Sequence, residues 1–390
     1  MKKRLSALAL AILLTLSGCS AMLERSYTSS EAHVDYAVVQ EDSALRVETY
    51  PGLVSSFLYL VQEHSSEGSI RLYHYSGDVD DDLASAKDEV LNRDPIGTFA
   101  VSSLEYTSTR ILTYYEVTVR ITYAHSAQEV EDIQPLPSVT ALRQELDRMV
   151  AERQEQGVFL VSYFSGAGDL ADILFLQSIY NAPAFYCDPD SLRYNIRLYP
   201  ETGTRRIVEI GVNWPDSSSE AAEQAEELTE TAAALLDGNP PQDGDYTPIE
   251  LAELVRSVSG PLDDAGSELP LDALTGEPVC ELGQLLALEA LCQQTGIETF
   301  LVMGQPSFWL IVSTPDGYRH LLPDPFSELD EDGNALPFRL YSDQELTSLG
   351  YVWSAALYPS CVGETEAEPA SALEDAPSAE SAEPKAPKNP

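Results

Sequence analysis

Positive charge is scarce in this sequence: 22 Lys and Arg stand against 64 Asp and Glu in 390 residues, a formal charge of −42. A surface that acidic repels phosphate backbones, which excludes nucleic acid as a partner. Cysteine is scarce as well, at five residues, and no spacing among these and the five histidines suggests zinc. No glycine pattern of the nucleotide-binding kind occurs, so no metal or other cofactor is expected. Long apolar runs are missing beyond the first twenty residues, and nothing later is apolar for long enough to span a bilayer. The 44% hydrophobic content is enough for two or three buried cores, which marks a globular chain.

At the amino terminus, Lys2, Lys3 and Arg4 precede an apolar run from Leu5 to Leu16, the pattern of a secretory signal over residues 1–18. The stretch Leu16-Ser17-Gly18-Cys19 that closes it resembles the bacterial lipoprotein box. That resemblance implies an acylated Cys19 as the first mature residue, anchored on the extracytoplasmic face of the cell membrane, with the membrane as partner through the lipid. One acyl chain holds a protein only marginally, so stable anchoring needs the further chains that such a cysteine carries. Residues 19–33 read as a tether, and 362–390, rich in Ala, Pro, Glu and Ser, as a disordered acidic tail. Four cysteines remain: Cys187, Cys280, Cys292 and Cys361. They are too few for a disulfide scaffold, and Cys280 and Cys292, on one expected helix, stand roughly 18 Å apart and cannot bridge.

Residues 34–215 read as a duplicated α+β module, with repeats at about 50–128 and 138–215. "SIRLYHYSGD" (69–78) is echoed by "VFLVSYFSGAGD" (158–169), and each copy sets a helix before and after its Ser-Gly turn. In "YEVTVRITY" (115–123), Val117, Val119, Ile121 and Tyr123 alternate with Thr118, Arg120 and Thr122, the period of a half-buried antiparallel strand. In the second copy "ETG" (201–203) turns a hairpin, followed by the stripe Val208, Ile210, Val212, Trp214. Superposing 50–124 on 138–214 is expected to pair the strands holding Val119 and Val208–Val212. The acidic runs Asp78–Asp82 and Asp330–Gly333 lack calcium-loop spacing; the first reads as a capped helix start.

The remaining unit, 216–361, opens with a helix over 218–238, a Pro/Gly/Asp linker, and a helix at Ile249–Val258. "LDALTGEPVCELGQLLALEALCQQTGIETFLVMG" (271–304) then resembles the helix and following strand of the transglutaminase-like, papain-type fold found in bacterial surface lipoproteins. "QPSFWLIVSTPDGYRHLLPDPF" (305–326) is similar to that family's paired strands, and 339–361 to the closing segment of its lipoprotein members. The family's chemistry implies a cysteine whose thiolate is favoured at a helix N-terminus, a strand histidine as base, and an acid or amide to orient it. Here the motif is degenerate. An ungapped match puts Glu281 on the nucleophile, one residue after Cys280, and Ser307-Phe308-Trp309-Leu310 on His-Ala-Trp-Asn, so that Ser307 replaces the histidine and Leu310 the asparagine. The preferred reading is a non-catalytic domain that binds an envelope protein or peptide, or scaffolds. The alternative is an active cysteine peptidase or acyl-transfer enzyme using Cys280 as nucleophile, His320 as base and Asp324 as orienter.

Overall fold

A computed structural model describes residues 39–41, 44–164, 166, 169–241, 244–327 and 336–361. The signal, Cys19, the expected tether at 19–33, the expected acidic tail at 362–390 and Asp330–Gly333 lie outside these residues. The chain is α+β and divides into two compact units, Met1–Leu235 with Glu268–Asp272, and Leu236–Ser267 with Ala273–Pro390.

The first unit holds two sheets built on one plan. Strand β1 (Val39–Glu41), β2 (Ala44–Val47), helix α1 (Tyr50–Gln62), β3 (Glu67–Tyr73), α2 (Val79–Asn92), α3 (Pro95–Ala100), β4 (Val101–Ile111) and β5 (Tyr114–Tyr123) give the order β1-β2-β3-β5-β4. After a short helix α4 (Ala127–Glu131), the chain makes β6 (Gln134–Leu136), α5 (Val139–Glu152), β7 (Gln156–Val161), α6 (Leu170–Tyr180), β8 (Arg193–Tyr199) and β9 (Arg206–Asn213), in the order β6-β7-β9-β8. In both sheets a parallel pair joined through a helix is followed by an antiparallel strand and its hairpin partner. The strands holding Val119 and Val208–Val212 occupy the same place in their sheets.

Local chemistry sets these elements. The side chain of Asp78 accepts from the backbone N–H groups of Asp80 and Asp81, so the acidic run starts α2 with its charge at the positive end of the helix. Helix α5 buries Leu142, Leu146, Met149 and Val150, one stripe at helical spacing, and stops where Arg153 turns left-handed at φ 51°. That guanidinium is buried: it grips Asp216 with two bonds of 3.0 and 3.1 Å and lies 4.8 Å over the Trp214 ring. A buried arginine is tolerable because its donors are matched in this way.

The two sheets differ on the face turned away from their own helices. In the first, Arg71 pairs with Glu116 (3.6 Å) and Arg120 with Glu67 (3.2 Å), beside Thr118. In the second, the registers Leu160↔Ile207 and Val158↔Glu209 put apolar side chains there, and Val158, Leu160, Tyr199 and Ile207 pack onto the core of the first repeat. Helix α3 of the first repeat supplies the contact through Phe99, whose ring meets Tyr199 edge-on at 5.4 Å.

Helix α7 (Ser218–Gly238) departs from the expected boundary at 216, since most of it belongs to the first unit. Its Ala221, Ala225, Leu228 and Ala232 form a narrow buried seam. The second unit contains α8 (Pro248–Val258), β10 (Leu262–Ser267), the end of α9 (Pro270–Thr275), α10 (Glu281–Thr295), β11 (Thr299–Met303), β12 (Phe308–Thr314), β13 (Gly317–Leu321), α11 (Asp324–Ser327), β14 (Leu340–Tyr341) and α12 (Asp343–Ser348). Its sheet runs β11-β12-β13-β14, antiparallel throughout. Helix α10 is buried from Leu282 to Cys292 and ends at Gly296, where φ of 78° suits a residue without a Cβ.

Candidate functional site

The sheet of the second unit has two faces, and strand parity assigns every side chain to one of them. Leu301 pairs with Leu310 and Leu310 with Leu321, while Thr299 pairs with Val312. These face α10, because the Thr299 hydroxyl donates to Glu289 Oε1 of that helix at 3.1 Å. The alternate residues Val302, Trp309, Ile311, His320 and Leu322 must therefore point to the opposite side. There Val302, Trp309, Ile311 and Leu322 pack with Leu346, Tyr351, Trp353, Tyr358 and Cys361 from the closing segment.

Cys280 is the N-cap residue of α10, half-buried and extended at φ −86° and ψ 173°. Its thiol makes no capping bond, and its backbone N–H donates to the Ser267 carbonyl at 3.1 Å. Glu281 is the first residue of the helix, an acidic side chain in the first turn. Ser307 lies in a bend just before β12, and Leu310 is fully buried on the helix side.

His320 is fully buried, and both of its ring nitrogens are occupied. The Trp309 indole Nε1–H donates to His320 Nδ1 at 2.9 Å, and His320 Nε2 stands 2.8 Å from Asp343 Oδ1. An indole nitrogen can only donate, so Nδ1 must be the acceptor and Nε2 must carry the hydrogen given to Asp343. Burial lowers the imidazole pKa, against the opposing pull of Asp343. Protonation would aim a second N–H at the indole. The ring is accordingly a neutral, fixed tautomer.

Asp343 extends the network. Its Oδ2 accepts from the Ser360 hydroxyl (2.9 Å) and the Cys361 N–H (3.1 Å), and its own N–H donates to the Cys361 carbonyl (2.8 Å). The arrangement pins the closing segment across the sheet. It differs from the expected constellation: the carboxylate bonded to His320 is Asp343, a residue the sequence did not single out, and the imidazole and Cys280 belong to opposite sides of the sheet; the side chain of Asp324 lies outside the described ones. The register Ile311↔His320 is the physical reason, since one residue of slip would have turned His320 toward α10. Asp324 begins α11.

Ligating atoms of His320, Asp343 and Cys361 lie within 4.8 Å of one another, a cluster that could in outline hold a metal ion. The indole bond argues against it, because a metal would need a lone pair on Nε2, the nitrogen that must carry hydrogen. Burial also pushes the Cys361 thiol up to about 12, far from the thiolate a metal takes.

The sequence reading missed two groups. Asp343 stands 23 residues from His320, and no local pattern links them. Glu289 did leave a signal, an acid in the apolar run "LLALEALC" (285–292). It is fully buried in α10, its Oε2 has no hydrogen-bond partner, and burial pushes its pKa up to about 8, with the Thr299 bond opposing.

No protein-family model matches the chain, and no curated protein sequence matches it either.

Proposed function

We propose that this is a lipid-anchored extracytoplasmic lipoprotein whose transglutaminase-like domain is non-catalytic and serves in binding or scaffolding at the cell envelope. The observation that carries the reading is the His320 network: the imidazole nearest in sequence to the family's catalytic strand is buried, neutral and bonded at both nitrogens. A thiol at a helix N-terminus gains from the helix dipole, but nucleophilic catalysis also needs a base within hydrogen-bond reach. The indole and the carboxylate deny that role to His320. The "LSGC" box supports the anchor, and the charge of −42 supports a solvated, repulsive surface.

One experiment addresses both halves of this reading. Wild-type, Cys19→Ala and Cys280→Ala proteins are fractionated from cells and offered glutamine- and amide-bearing peptides with a labelled amine. Cys19→Ala is expected to leave the membrane fraction or remain unprocessed, and no protein should release ammonia or incorporate amine. Turnover lost only in Cys280→Ala would establish the enzyme reading, and mature Cys19→Ala still partitioning with membranes would contradict the anchor.

A further inference from the structure

The last hairpins of the two repeats occupy the same place in their sheets and end in opposite chemistry. In the second repeat "PETGTR" (200–205) joins β8 to β9, and a glycine, Gly203, takes the positive φ of 116°. In the first, Ile111 pairs with Tyr114, and only Leu112 and Thr113 make the turn. Leu112 itself takes the positive φ of 32° and is 95% exposed. Asparagine or glycine suits such a backbone, and a polar side chain suits such exposure, so leucine costs stability twice over. A residue unsuited to its place in the fold on both counts indicates a use outside the fold.

The surroundings of the tip are aromatic and locally free of excess acid. On the sheet face turned away from the helices, Tyr73 and Tyr114 lie side by side with ring centroids 5.0 Å apart, Arg46 stands 5.1 Å over the first ring and Arg71 5.9 Å over the second. Ile111, paired with Tyr114, shares that face. Arg46 and Arg71 have acid partners in Glu48 and Glu116, whereas Arg110, beside the turn, makes no ion pair among the described residues. The acidic start of α2 is set back: Asp80 accepts from the Ser108 hydroxyl at 3.4 Å, and Ser108 lies about 13 Å along β4 from Leu112. That exceeds the screening length of about 8 Å in physiological salt. Tyrosine rings and arginine heads settle in the headgroup layer of a bilayer, below which a leucine finds apolar surroundings.

Strand direction sets this end of the sheet beside the chain's entry. Strand β1 runs antiparallel to β2 and β2 parallel to β3, and Val39, Arg46 and Arg71 share one row, about 7 Å along the strands from the Tyr73–Tyr114 pair. The chain thus enters the sheet at the end where Leu112 projects. Residues 20–38 allow at most about 65 Å between Cys19 and that entry. An anchored protein presents its tip to the bilayer at high effective concentration, so a weak contact is enough to orient it. A second copy is a poor occupant, since two chains of charge −42 repel. We infer that the β4–β5 hairpin is a second membrane contact, with Leu112 seated among the acyl chains at a phospholipid surface and Tyr73, Tyr114 and Arg110 in the phosphate layer. The inference rests on the lipid-anchored reading above.

Hydroxyl-radical footprinting tests this on full-length protein purified from membranes and reconstituted into vesicles of phosphatidylcholine and phosphatidylglycerol. The comparison is with Leu112→Asn, because asparagine accepts the left-handed turn and keeps the hairpin while removing the apolar tip. Both proteins should float with the vesicles through the lipid. Oxidation of Tyr73 and Tyr114 should be at least about threefold slower in wild type than in Leu112→Asn, while the exposed Tyr163 reacts alike in both. The difference should vanish when both carry Cys19→Ala and no vesicles are present. Co-flotation with equal oxidation of Tyr73 and Tyr114 in the two proteins, or with Tyr163 slowed to the same extent, would overturn the inference and leave the anchor standing. Wild type that does not float would overturn both. A difference that persists without vesicles and grows with protein concentration would place a second copy on the tip and overturn the membrane contact.

Discussion

The two faces of the second unit's sheet are made from the same four strands and treated in opposite ways. The face toward α10 is apolar, with Leu301, Leu310, Val312 and Leu321 under the helix, and carries one buried acid, Glu289, with an unpartnered oxygen. The opposite face joins its polar groups to one another: Trp309, His320 and Asp343 give and accept in sequence until the chain of bonds reaches Ser360 and Cys361. The difference teaches where the chemistry of such a domain can reside. A thiol at a helix N-terminus is useful only with an imidazole on its own side of the sheet, and here the imidazole is spent in holding the closing segment down.

If the faces differ as described, the largest effect belongs to Glu289. Its pKa is raised to about 8 in the folded chain against an ordinary 4.5, so between those values the folded state holds a proton that the unfolded state has released. Stability then falls as pH rises through that window, by on the order of 1.4 kcal/mol per pH unit and about 5 kcal/mol in all at most. Glu289→Gln mimics the protonated acid and removes this dependence. Urea midpoints of wild type and Glu289→Gln should therefore agree near pH 4.5 and diverge toward pH 8, the variant being the more stable. Curves that run parallel over that range would mean the acid is charged when folded.

A smaller loss is expected on the other face. Asp343→Ala strips the acceptor from His320 Nε2–H and two bonds from the closing segment, at a cost of roughly 3 kcal/mol. The sharper signature is local: amide exchange at Cys361 should quicken well beyond that of β12. Equal loosening of both would show that the network is incidental to the closing segment.

Much of this architecture was legible in the sequence. The alternation in Val117, Val119 and Ile121 fixed a strand and its buried face, Asp78 and its neighbours marked a helix start, and Gly296 marked a helix end. The likeness of "SIRLYHYSGD" to "VFLVSYFSGAGD" led to two sheets of one topology. What could not be read was pairing at a distance. Whether His320 faces α10 depends on a one-residue register between β12 and β13, which the short strand "GYRHL" (317–321) does not declare. Asp343 lies next to the capping box of Ser342 and Glu345 at the start of α12, and its reach back to His320 is a tertiary event that no local pattern declares. The boundary at α7 was misplaced because its seam is mostly alanine, too weak a stripe to declare which unit it packs on, although the Pro/Gly/Asp stretch after it lies next to the observed division.

The central claim is that Cys280 has no imidazole partner, and its alkylation rate as a function of pH measures this most directly. Labelling with iodoacetamide, read peptide by peptide so that Cys280 is separated from the buried Cys187, Cys292 and Cys361, should proceed at the same rate in wild type and His320→Gln at every pH. A plateau already reached below about pH 6 and abolished in His320→Gln would reveal a thiolate–imidazolium pair and contradict the account.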